Sequence, residues 1–442
     1  MKTYYIESLG CAKNQVDSEH IMAELEAEHY VRVEDAGDAA LIVVNTCAFI
    51  ESAKRESIDT ILSFRQLYPD TKISVRGCLA ERYHKELAES LPEADELRGV
   101  PALDDEDGER PVHHGERPLL SLPGSAYVKI SEGCDNRCSF CAIPLIRGGL
   151  KSRSIASITG ECRELLKRGV KELVLIAQDA GSYGTDGMAG GGIERQLPAL
   201  LRAIGSIRGD GINPAFWVRL LYLHPDRLLP EQDGASGGLM DGLIQIMRDD
   251  PRILPYFDLP FQHASASVLR AMGRTGNRRA YLRIIGHLRE RLPRAVIRST
   301  FLVGFPGETD EDFAELLAFQ QEAKIDWLGV FTYSREEGTA ACTMKHRVSK
   351  KTAAARKALL EEAQIPITAA RLATFSRTET EALVEEVVDS ESATHLAIGR
   401  LPIHAPEVDG AAVIESDSPL IPGSIVRVRA LSVSGVDMRC RA

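Results

Sequence analysis

The sequence predicts an α/β protein in three parts: an N-terminal parallel α/β sheet domain, a central partial (β/α)6 barrel and a C-terminal small antiparallel β-barrel of the OB-like kind. Three observations predict this. In the first 118 residues, short apolar runs alternate with helical patterns, which is typical of a parallel sheet. The same alternation repeats six times between residues 120 and 350. Beyond residue 376, short β runs are separated by turn signals.

Composition limits the class of protein. The chain has 442 residues, enough for two or three domains, and its 44% hydrophobic and 26% charged residues are ordinary for a globular protein. It has no apolar run of 18 residues and no secretion signal, so we expect a cytoplasmic protein without membrane contact. Nine cysteines, an odd number, favour reduced and metal-binding thiols over a disulfide framework. The net charge of −11 argues against binding nucleic acid over the whole surface.

The N-terminal region contains three predicted strands, each followed by a cysteine: Cys11, Cys47 and Cys78. Parallel strands would bring the three thiols to one edge of the sheet, where ligands of such sheets bind. We therefore expect a metal cluster site with three ligands. Three small buried side chains and a redox-active thiol trio are the alternatives. The predicted strands are residues 4–6, 41–44 and 73–75, and the predicted helices are residues 15–29, 48–67 and 80–90.

Residues 101–124 are rich in acidic residues and proline, and we interpret them as a polar connection between domains. His113 and His114 lie in this stretch and are only weak candidate metal ligands.

The central region repeats the strand–helix unit six times. An active site is therefore expected where the carboxyl ends of the strands meet. The predicted strands are residues 126–130, 172–177, 217–222, 256–259, 297–303 and 327–333, and the clearest helices are residues 155–168, 238–248, 279–292 and 311–323.

The first of these strands leads into the most informative motif, GCDNRCSFC at residues 133–141. Cys134, Cys138 and Cys141 have CxxxCxxC spacing, which differs from the spacing in ferredoxins. A four-iron four-sulfur cluster usually has four thiolate ligands, so three would leave one iron open to another molecule. A zinc site completed by a distant histidine is the alternative.

Polar groups follow the later strands and are candidates for lining the same cavity: Gln178 and Asp179, His224, Gln262 and His263, and the turn GFPGE from Gly304 to Glu308. We expect His224 and His263 to be structural. The glycine-rich stretches at residues 181–192 and 231–238 are interpreted as lids or surface insertions. Cys162 and Cys342 are predicted not to be ligands.

The C-terminal part begins with a helical segment at residues 346–372, predicted to be interrupted at Pro366. Strands are predicted at residues 382–388, 395–399, 411–414 and 425–432. OB-like barrels commonly bind nucleic acid. From residue 376 onward, however, there are six arginines, no lysine and eleven acidic residues. This net charge of −5 favours a basic protein surface as partner. Cys440 is predicted to be incidental.

CxxxCxxC with Phe140 before the last cysteine resembles the radical S-adenosylmethionine (SAM) enzymes. The whole chain resembles the methylthiotransferases, and several strings are similar to the RimO type, which modifies an aspartate of small-subunit ribosomal protein twelve. These strings are GCDNRCSFCAIPLIRG, LVLIAQDAGSYG, WVRLLYLHPD, YFDLPFQHAS, FLVGFPGETDEDF, GVFTYSREEGT and APEVDG.

The resemblance implies two four-iron four-sulfur clusters. Cys134, Cys138 and Cys141 would ligate the SAM-binding cluster, and Cys11, Cys47 and Cys78 would ligate an auxiliary one. Candidate SAM contacts are Phe140, Gln178, Gln262 and Gly304. One SAM would supply a methyl group to sulfur at the auxiliary cluster. A second would yield the radical that removes hydrogen from the aspartate β-carbon. An electron donor and a sulfur source would be needed.

The implied domains are a methylthiotransferase N-terminal domain (1–118), a radical SAM core (120–350), a connecting helix (351–375) and a TRAM domain (376–442). Two rival functions stay open at this point. One is a methylthiotransferase acting on adenosine in tRNA. The other is a non-catalytic iron–sulfur RNA-binding or assembly factor, which would not cleave SAM.

Overall fold

The computed structural model describes residues 2–101, 103, 116–188, 195–229, 238–388 and 395–442. His113, His114 and residues 231–237 lie outside these ranges, as do residues 189–192.

The N-terminal domain is a five-stranded parallel sheet in the order β2-β1-β3-β4-β5. The central strand β3 is buried at every position, as its sequence LIVVNT predicts. The three predicted strands are confirmed, and two very short edge strands join them. The elements are β1 (Thr3–Ser8), α1 (Ala12–Ala27), β2 (Val31–Arg32), β3 (Leu41–Thr46), α2 (Glu51–Leu67), β4 (Lys72–Gly77), α3 (Cys78–Arg82), α4 (His84–Ser90) and β5 (Glu96–Leu97).

The helix predicted at residues 80–90 is divided. Tyr83 has ψ of 31° and ends α3, and α4 begins at the next residue.

The central domain contains two three-stranded parallel sheets, β10-β9-β6 and β11-β12-β13. A parallel bridge from Val218 to Ile253 joins them, so six strands form the predicted partial barrel. The elements are β6 (Ser125–Lys129), β7 (Ser131–Glu132), α5 (Ile143–Arg147), β8 (Lys151–Ser152), α6 (Ile155–Lys167), β9 (Glu172–Ile176), α7 (Leu197–Gly205), β10 (Trp217–Leu220), α8 (Leu239–Asp249), β11 (Tyr256–Asp258), α9 (Ala266–Ala271), α10 (Arg278–Arg291), β12 (Val296–Val303), α11 (Asp310–Ala323) and β13 (Trp327–Thr332).

The two faces of the barrel strands have different neighbours. Side chains such as Val128 and Leu175 point outward and pack against the surrounding helices. On the inner face, Tyr127, Trp217 and Trp327 share a buried cluster with residues of the C-terminal domain. This alternation follows from the two-residue period of a strand.

Helix α12 (Lys350–Ala373) leads to the C-terminal domain and continues through Pro366, so the predicted interruption is wrong. Contacts on both sides of the proline hold the helix against the barrel. The Gln364 side chain donates to the Ile325 carbonyl at 2.8 Å, and the Thr368 hydroxyl donates to the Asp326 carbonyl at 2.8 Å. Tertiary packing therefore outweighs the local cost of proline.

The C-terminal domain is a closed barrel in the order β14-β15-β16-β18-β17. The sequence analysis missed its fifth strand, β18, which pairs in parallel with β16, while the other pairs are antiparallel. Cys440 lies in β18 and is buried in the core of this barrel. The strands are β14 (Glu379–Val388), β15 (His395–Arg400), β16 (Ala412–Ser416), β17 (Ile425–Ser434) and β18 (Asp437–Arg441).

The segment between β15 and β16, residues 401–410, enters the inner face of the central barrel and is called here the plug segment. The Trp327 indole donates to the Ile403 carbonyl at 2.9 Å, and Arg219 donates to the Pro402 carbonyl at 3.0 Å. Trp327 is the first residue of its strand. The plug segment therefore closes the amino end of the barrel and leaves the carboxyl end for a site.

Beside the plug segment, the Glu172 carboxylate accepts from Ser125, Arg219 and Arg400, all of which are buried. Burial acts to raise the pKa of Glu172, but Arg400 and Arg219 outweigh it and lower the pKa to about 2. This ion-pair network fixes the C-terminal barrel to the amino ends of β6, β9 and β10.

Within the residues that the structure describes, no helix is long and apolar enough to cross a membrane.

Candidate active site at the carboxyl ends of the strands

The CxxxCxxC loop follows β6 and β7 at the carboxyl end of the barrel. Backbone hydrogen bonds from Cys134 to Gly148 and from Cys141 to Cys138, both 3.1 Å, fold it. Gly133 has φ of +69°, and a Cβ there would lie 2.0 Å from the Gly149 carbonyl oxygen. Only glycine fits this close approach.

Neighbouring loops hold the cysteine loop from outside. The Ser139 amide donates to the Met272 carbonyl at 3.0 Å, and the Ser139 carbonyl accepts from the Ala341 amide at 2.7 Å. Gly273 allows this contact, since a Cβ there would lie 2.8 Å from the Arg137 carbonyl oxygen. The loop is therefore a fixed part of the barrel.

Asn136, between the first two cysteines, anchors the loop to the strands behind it. Its amide donates to Asp179 at 2.8 Å and accepts from Arg227 at 2.6 Å. Asp179 also accepts from Ser182 and from the backbone of His224. Burial acts to raise the pKa of Asp179, but His224 and Arg227 outweigh it and hold the pKa below its usual range.

The three thiols of the loop lie close enough to influence one another. Burial is the main cause that raises the pKa of Cys134 to about 11 and that of Cys141 to about 12, and Cys138 contributes to both increases. Such thiols become thiolates when a cation binds them. A set of three thiols matches the ligand chemistry of an iron–sulfur cluster.

The other three cysteines lie at the carboxyl edge of the N-terminal sheet. Cys11 precedes α1, Cys47 follows β3 and Cys78 begins α3. A Cβ on Gly10 would lie 2.9 Å from the Cys47 Cβ, so the loops after β1 and β3 touch. Burial raises the pKa of Cys47, and it raises the pKa of Cys78 to about 12.

Asn14 connects these loops to one another. Its side-chain amide donates to the Leu9 carbonyl, and its Oδ1 lies 3.9 Å from the Cys78 sulfur. The set of three thiols again suits an iron–sulfur cluster. Among the described residues, no three His, Cys, Asp or Glu side chains already surround a common metal position.

A buried ion network, which the sequence analysis missed, joins the N-terminal domain to the barrel beside Cys78. Arg147, at the end of α5, donates to the Cys78 sulfur at 3.1 Å, to Asp17 at 2.8 Å and to Glu132 at 2.9 Å. Lys129 pairs with both carboxylates as well. Burial acts to raise the pKa of Glu132, but Lys129 and Arg147 outweigh it and lower the pKa to about 2. The only sequence signal was the place of Arg147 six residues after Cys141.

Lys13, two residues after Cys11, is also buried at this junction, with 8% of its surface exposed. Its ammonium lies 3.1 Å from the centre of the Tyr222 ring, just beyond β10. Burial lowers the pKa of Lys13 to about 8.

The four candidate SAM contacts all lie at the carboxyl end of the barrel, and their role stays a prediction. Phe140 is partly buried, with the Arg274 guanidinium 5.9 Å from its ring centre. The Gln178 amide donates to Glu132.

The other two candidates have left-handed backbone. Gln262 has φ of +66° and bridges to Phe301. Gly304 has φ of +77°, and a Cβ there would lie 2.5 Å from the Ala353 Cβ, so packing against α12 already requires glycine.

The two histidines make structural contacts. The Nδ1 of His263 accepts from the Ser265 amide at 3.0 Å, and its Nε2 lies 3.8 Å from Glu308. His224 accepts from the Asp226 amide at 3.3 Å, and its Nε2 lies 3.9 Å from the Cys138 sulfur. Burial lowers the pKa of His224 to about 4, which keeps it neutral.

Residues 181–188 of the first glycine-rich stretch pack against the barrel. The Tyr183 hydroxyl donates to the Arg153 carbonyl at 2.7 Å, and Gly184 donates to the Ser152 hydroxyl at 3.0 Å. Residues 181–184 are therefore a buried part of the barrel, while exposure increases towards Met188.

Comparisons with known proteins agree with this architecture. Residues 3–99 match an uncharacterized protein family, UPF0004, residues 128–319 match the radical SAM superfamily, and residues 378–442 match the TRAM domain. The fold and the cysteine loop therefore define the chain as a radical SAM enzyme with a TRAM domain.

Two relatives identify the family within this class. The chain is 42% identical to the ribosomal protein uS12 methylthiotransferase RimO of Treponema denticola, over 98% of this chain and 99% of that protein. It is 40% identical to the RimO of Carboxydothermus hydrogenoformans, over 96% of each chain. The chain belongs to the RimO family of methylthiotransferases.

One solved structure is more distantly similar. It is the radical SAM methyltransferase TsrM from Kitasatospora setae, with a TM-score of 0.49 and 15% identity over 77% of this chain and 74% of that one.

Proposed function

We propose that the chain transfers a methylthio group to the β-carbon of an aspartate in ribosomal protein uS12, using radical SAM chemistry. The observation that carries the proposal is the placement of two cysteine trios. One follows the first strand of the barrel and the other follows three strands of the N-terminal sheet, while Arg147 of the barrel domain contacts Cys78 of the second trio. A reaction that combines a radical with a sulfur donor needs two such centres side by side.

The metal ligands follow from this proposal. Cys134, Cys138 and Cys141 hold the SAM-binding four-iron four-sulfur cluster, and Cys11, Cys47 and Cys78 hold the auxiliary cluster. When bound, these groups supply the electron for SAM cleavage and the site of sulfur transfer. Phe140, Gln178, Gln262 and Gly304 line the SAM position. We assign the domains as residues 1–118, 120–350, 351–375 and 376–442, with SAM chemistry in the second.

The protein's own residues position the reacting groups and exclude water. Asn136 and Ser139 fix the cysteine loop through their bonds to Asp179 and Met272. The plug segment and the Glu172 network close the amino end of the barrel. The radical would therefore form in a site that solvent does not reach through the barrel.

The partners follow from the chemistry and the charge. The acidic C-terminal module, with a net charge of −5, suits a basic ribosomal protein better than the phosphates of RNA. The reaction also needs an electron donor and a sulfur source. We place it in the cytoplasm, where the ribosomal substrate is made.

A competition assay tests this function. The reconstituted protein receives SAM, reductant, sulfide, uS12 and bulk tRNA together without oxygen, and mass spectrometry is applied to both polymers. One methylthio group on an aspartate of uS12 is the expected result. Modification of tRNA instead would contradict the proposed substrate. Absence of SAM cleavage would contradict the proposed chemistry and favour a non-catalytic iron–sulfur factor.

A further inference from the structure

Lys13 is a largely buried cation that forms no ion pair with any carboxylate of the described residues. Among the described residues, no carboxylate lies within ion-pair distance of its ammonium and no acceptor forms a hydrogen bond with it. The Tyr222 ring lies 3.1 Å from the ammonium, and among charged groups Cys11 acts on it most strongly. The other cations at this junction are paired, since Lys129 and Arg147 both bind Asp17 and Glu132.

The carboxylates that interact electrostatically with Lys13 are already occupied by other donors. Asp258 accepts from Arg298 at 3.1 Å through one oxygen and from the Tyr222 amide at 3.1 Å through the other. Glu132 accepts from Lys129 and Arg147. A cation that is only 8% exposed and that pairs with no described carboxylate is costly, so the position of Lys13 is better explained by an anion that arrives from outside the chain.

The position of Lys13 indicates the chemical class of the anion that binds it. The lysine stands two residues after Cys11, at the edge of the auxiliary trio, and it faces Tyr222 at the carboxyl end of the barrel. A carbon that reacts with a radical from one side and takes sulfur from the other must lie at this junction. The substrate side chain that carries this carbon ends in a carboxylate.

We propose that Lys13 binds the carboxylate of the target aspartate and holds its β-carbon between the two cysteine trios. The inference rests on the proposed function and adds the residue that selects aspartate. Lys13 touches the substrate in this arrangement but takes no part in bond breaking. A lysine that only offsets the charge of the cluster thiolates would not distinguish aspartate from asparagine.

Equilibrium binding measures this selection. The reconstituted protein, with SAM and without reductant, is titrated with uS12 carrying either aspartate or asparagine at the target position. We expect wild-type protein to bind the aspartate form more tightly, on the order of ten-fold or more, because a charged hydrogen bond is lost with asparagine. Lys13→Met should bring this ratio close to one, and Lys13→Arg should keep a preference for aspartate.

Lys2→Met is the matched control. Lys2 also lies over an aromatic ring, that of Tyr30 at 5.0 Å, but it precedes β1 at the opposite end of the strand from Cys11. This variant should show the wild-type ratio. Iron and sulfide contents of Lys13→Met should equal those of wild-type protein, which shows that the clusters are loaded.

The outcomes separate the two proposals. If wild-type protein modifies uS12 but Lys13→Met keeps the wild-type ratio, the role of Lys13 is overturned and the proposed function stands. If Lys13→Met does not load its clusters, the other two proteins decide. Equal affinity of wild-type protein for the aspartate and asparagine forms overturns the role of Lys13. A preference for the aspartate form in Lys13→Arg supports it. If wild-type protein with reductant leaves uS12 unmodified, the proposed function is contradicted and this inference falls with it.

Discussion

At the scale of single residues, replacing a cysteine should have a different effect on activity in each of the two trios. Cys47 is buried beside the Ser57 hydroxyl, which bonds to both its amide and its carbonyl. We predict that Cys47→Ala retains SAM cleavage but stops methylthio transfer, because only the auxiliary cluster loses a ligand. Mass spectrometry of uS12 and chromatography of 5′-deoxyadenosine measure both activities.

Cys162→Ala is the control for this variant. Cys162 is also buried, but it lies in α6 within the hydrophobic core of the barrel. Its loss should leave both activities in place. Full methylthiolation of uS12 by Cys47→Ala would show that Cys47 is not a cluster ligand.

Arg147 of the barrel domain contacts a cysteine of the auxiliary trio, and we predict that it tunes the auxiliary cluster. Its guanidinium lies 3.1 Å from the Cys78 sulfur, and hydrogen bonds and positive charge near cluster sulfurs stabilise the reduced state. Arg147→Gln should therefore move the reduction potential of this cluster to more negative values and slow methylthio transfer roughly 10- to 100-fold. An anaerobic redox titration followed by electron paramagnetic resonance measures the potential.

The titration is made in protein whose Cys134, Cys138 and Cys141 are alanine, so that the auxiliary cluster alone gives the signal. Arg98→Gln serves as control, because Arg98 pairs with Glu24 and Glu96 on the exposed surface of the same domain. The same potential in Arg147→Gln and Arg98→Gln would mean that the guanidinium does not act on the cluster.

At the scale of elements, the turn between β1 and α1 depends on a glycine. Gly10 has φ of +100°, and a Cβ there would lie 2.9 Å from the Cys47 Cβ and 3.2 Å from its sulfur. We predict that Gly10→Ala displaces Cys47 and lowers the iron content of the reconstituted protein by about half, since one of two equal clusters is lost. Iron analysis measures this loss.

Gly169→Ala is the control that introduces backbone strain without a steric contact. Gly169 has φ of +94°, but a Cβ there would meet no atom within 4 Å. This variant should lose on the order of 1 kcal/mol of stability and keep all of its iron. If both variants kept full iron, the contact between Gly10 and Cys47 would be unimportant for the cluster.

The strands that carry the cysteines were predictable because each is an apolar run with turn signals on both sides. The short strands β2 and β5 have two residues each, which is too short to show the alternation of apolar and polar residues that predicts a strand. The strand β18, with sequence DMRCR, is polar at most positions and is held by pairing with two neighbours. Helix α12 continued through Pro366 because of contacts distant in sequence.

The cysteines of the candidate site were likewise readable, since thiols at the ends of three successive strands form a pattern. The residues that support these cysteines could not be predicted from the sequence. Asp17 and Glu132 are 115 positions apart in sequence yet share Arg147 and Lys129 in space. From the sequence alone, charged side chains of this kind are expected to lie in solvent. Only the fold shows that they are buried and paired.

At the scale of the whole molecule, buried polar contacts join the three domains. Arg147 and its partners join the N-terminal sheet to the barrel, and Glu172 with Arg219 and Arg400 joins the barrel to the C-terminal domain. Buried ion pairs contribute orientation more than net stability. The arrangement therefore fixes the domains relative to one another around the two cysteine trios.

The contact between the plug segment and the barrel contains a carboxylate that should make domain attachment depend on pH. Asp409 of the plug segment is buried and accepts from the Tyr256 hydroxyl at 2.5 Å, and burial raises its pKa to about 6 although Arg298 opposes this. An acid whose pKa is raised on folding binds more protons in the folded than in the unfolded state. Its contribution to stability is therefore largest below the unfolded value of 3.8 and falls as pH rises to about 6.

We predict that this fall amounts to roughly 3 kcal/mol between pH 3 and pH 7, at about 1.4 kcal/mol per pKa unit. Asp409→Asn cannot ionise and should remove that part of the pH dependence, so that its stability relative to wild type rises with pH. Hydrogen exchange of the C-terminal barrel in the cluster-free protein, measured across this range, checks the prediction. Asp417→Asn, at an exposed pair with Arg441, should follow the wild-type curve. Parallel curves for wild type and Asp409→Asn would mean that Asp409 has the same pKa in the folded and unfolded chain, and that the plug segment is held by its other contacts.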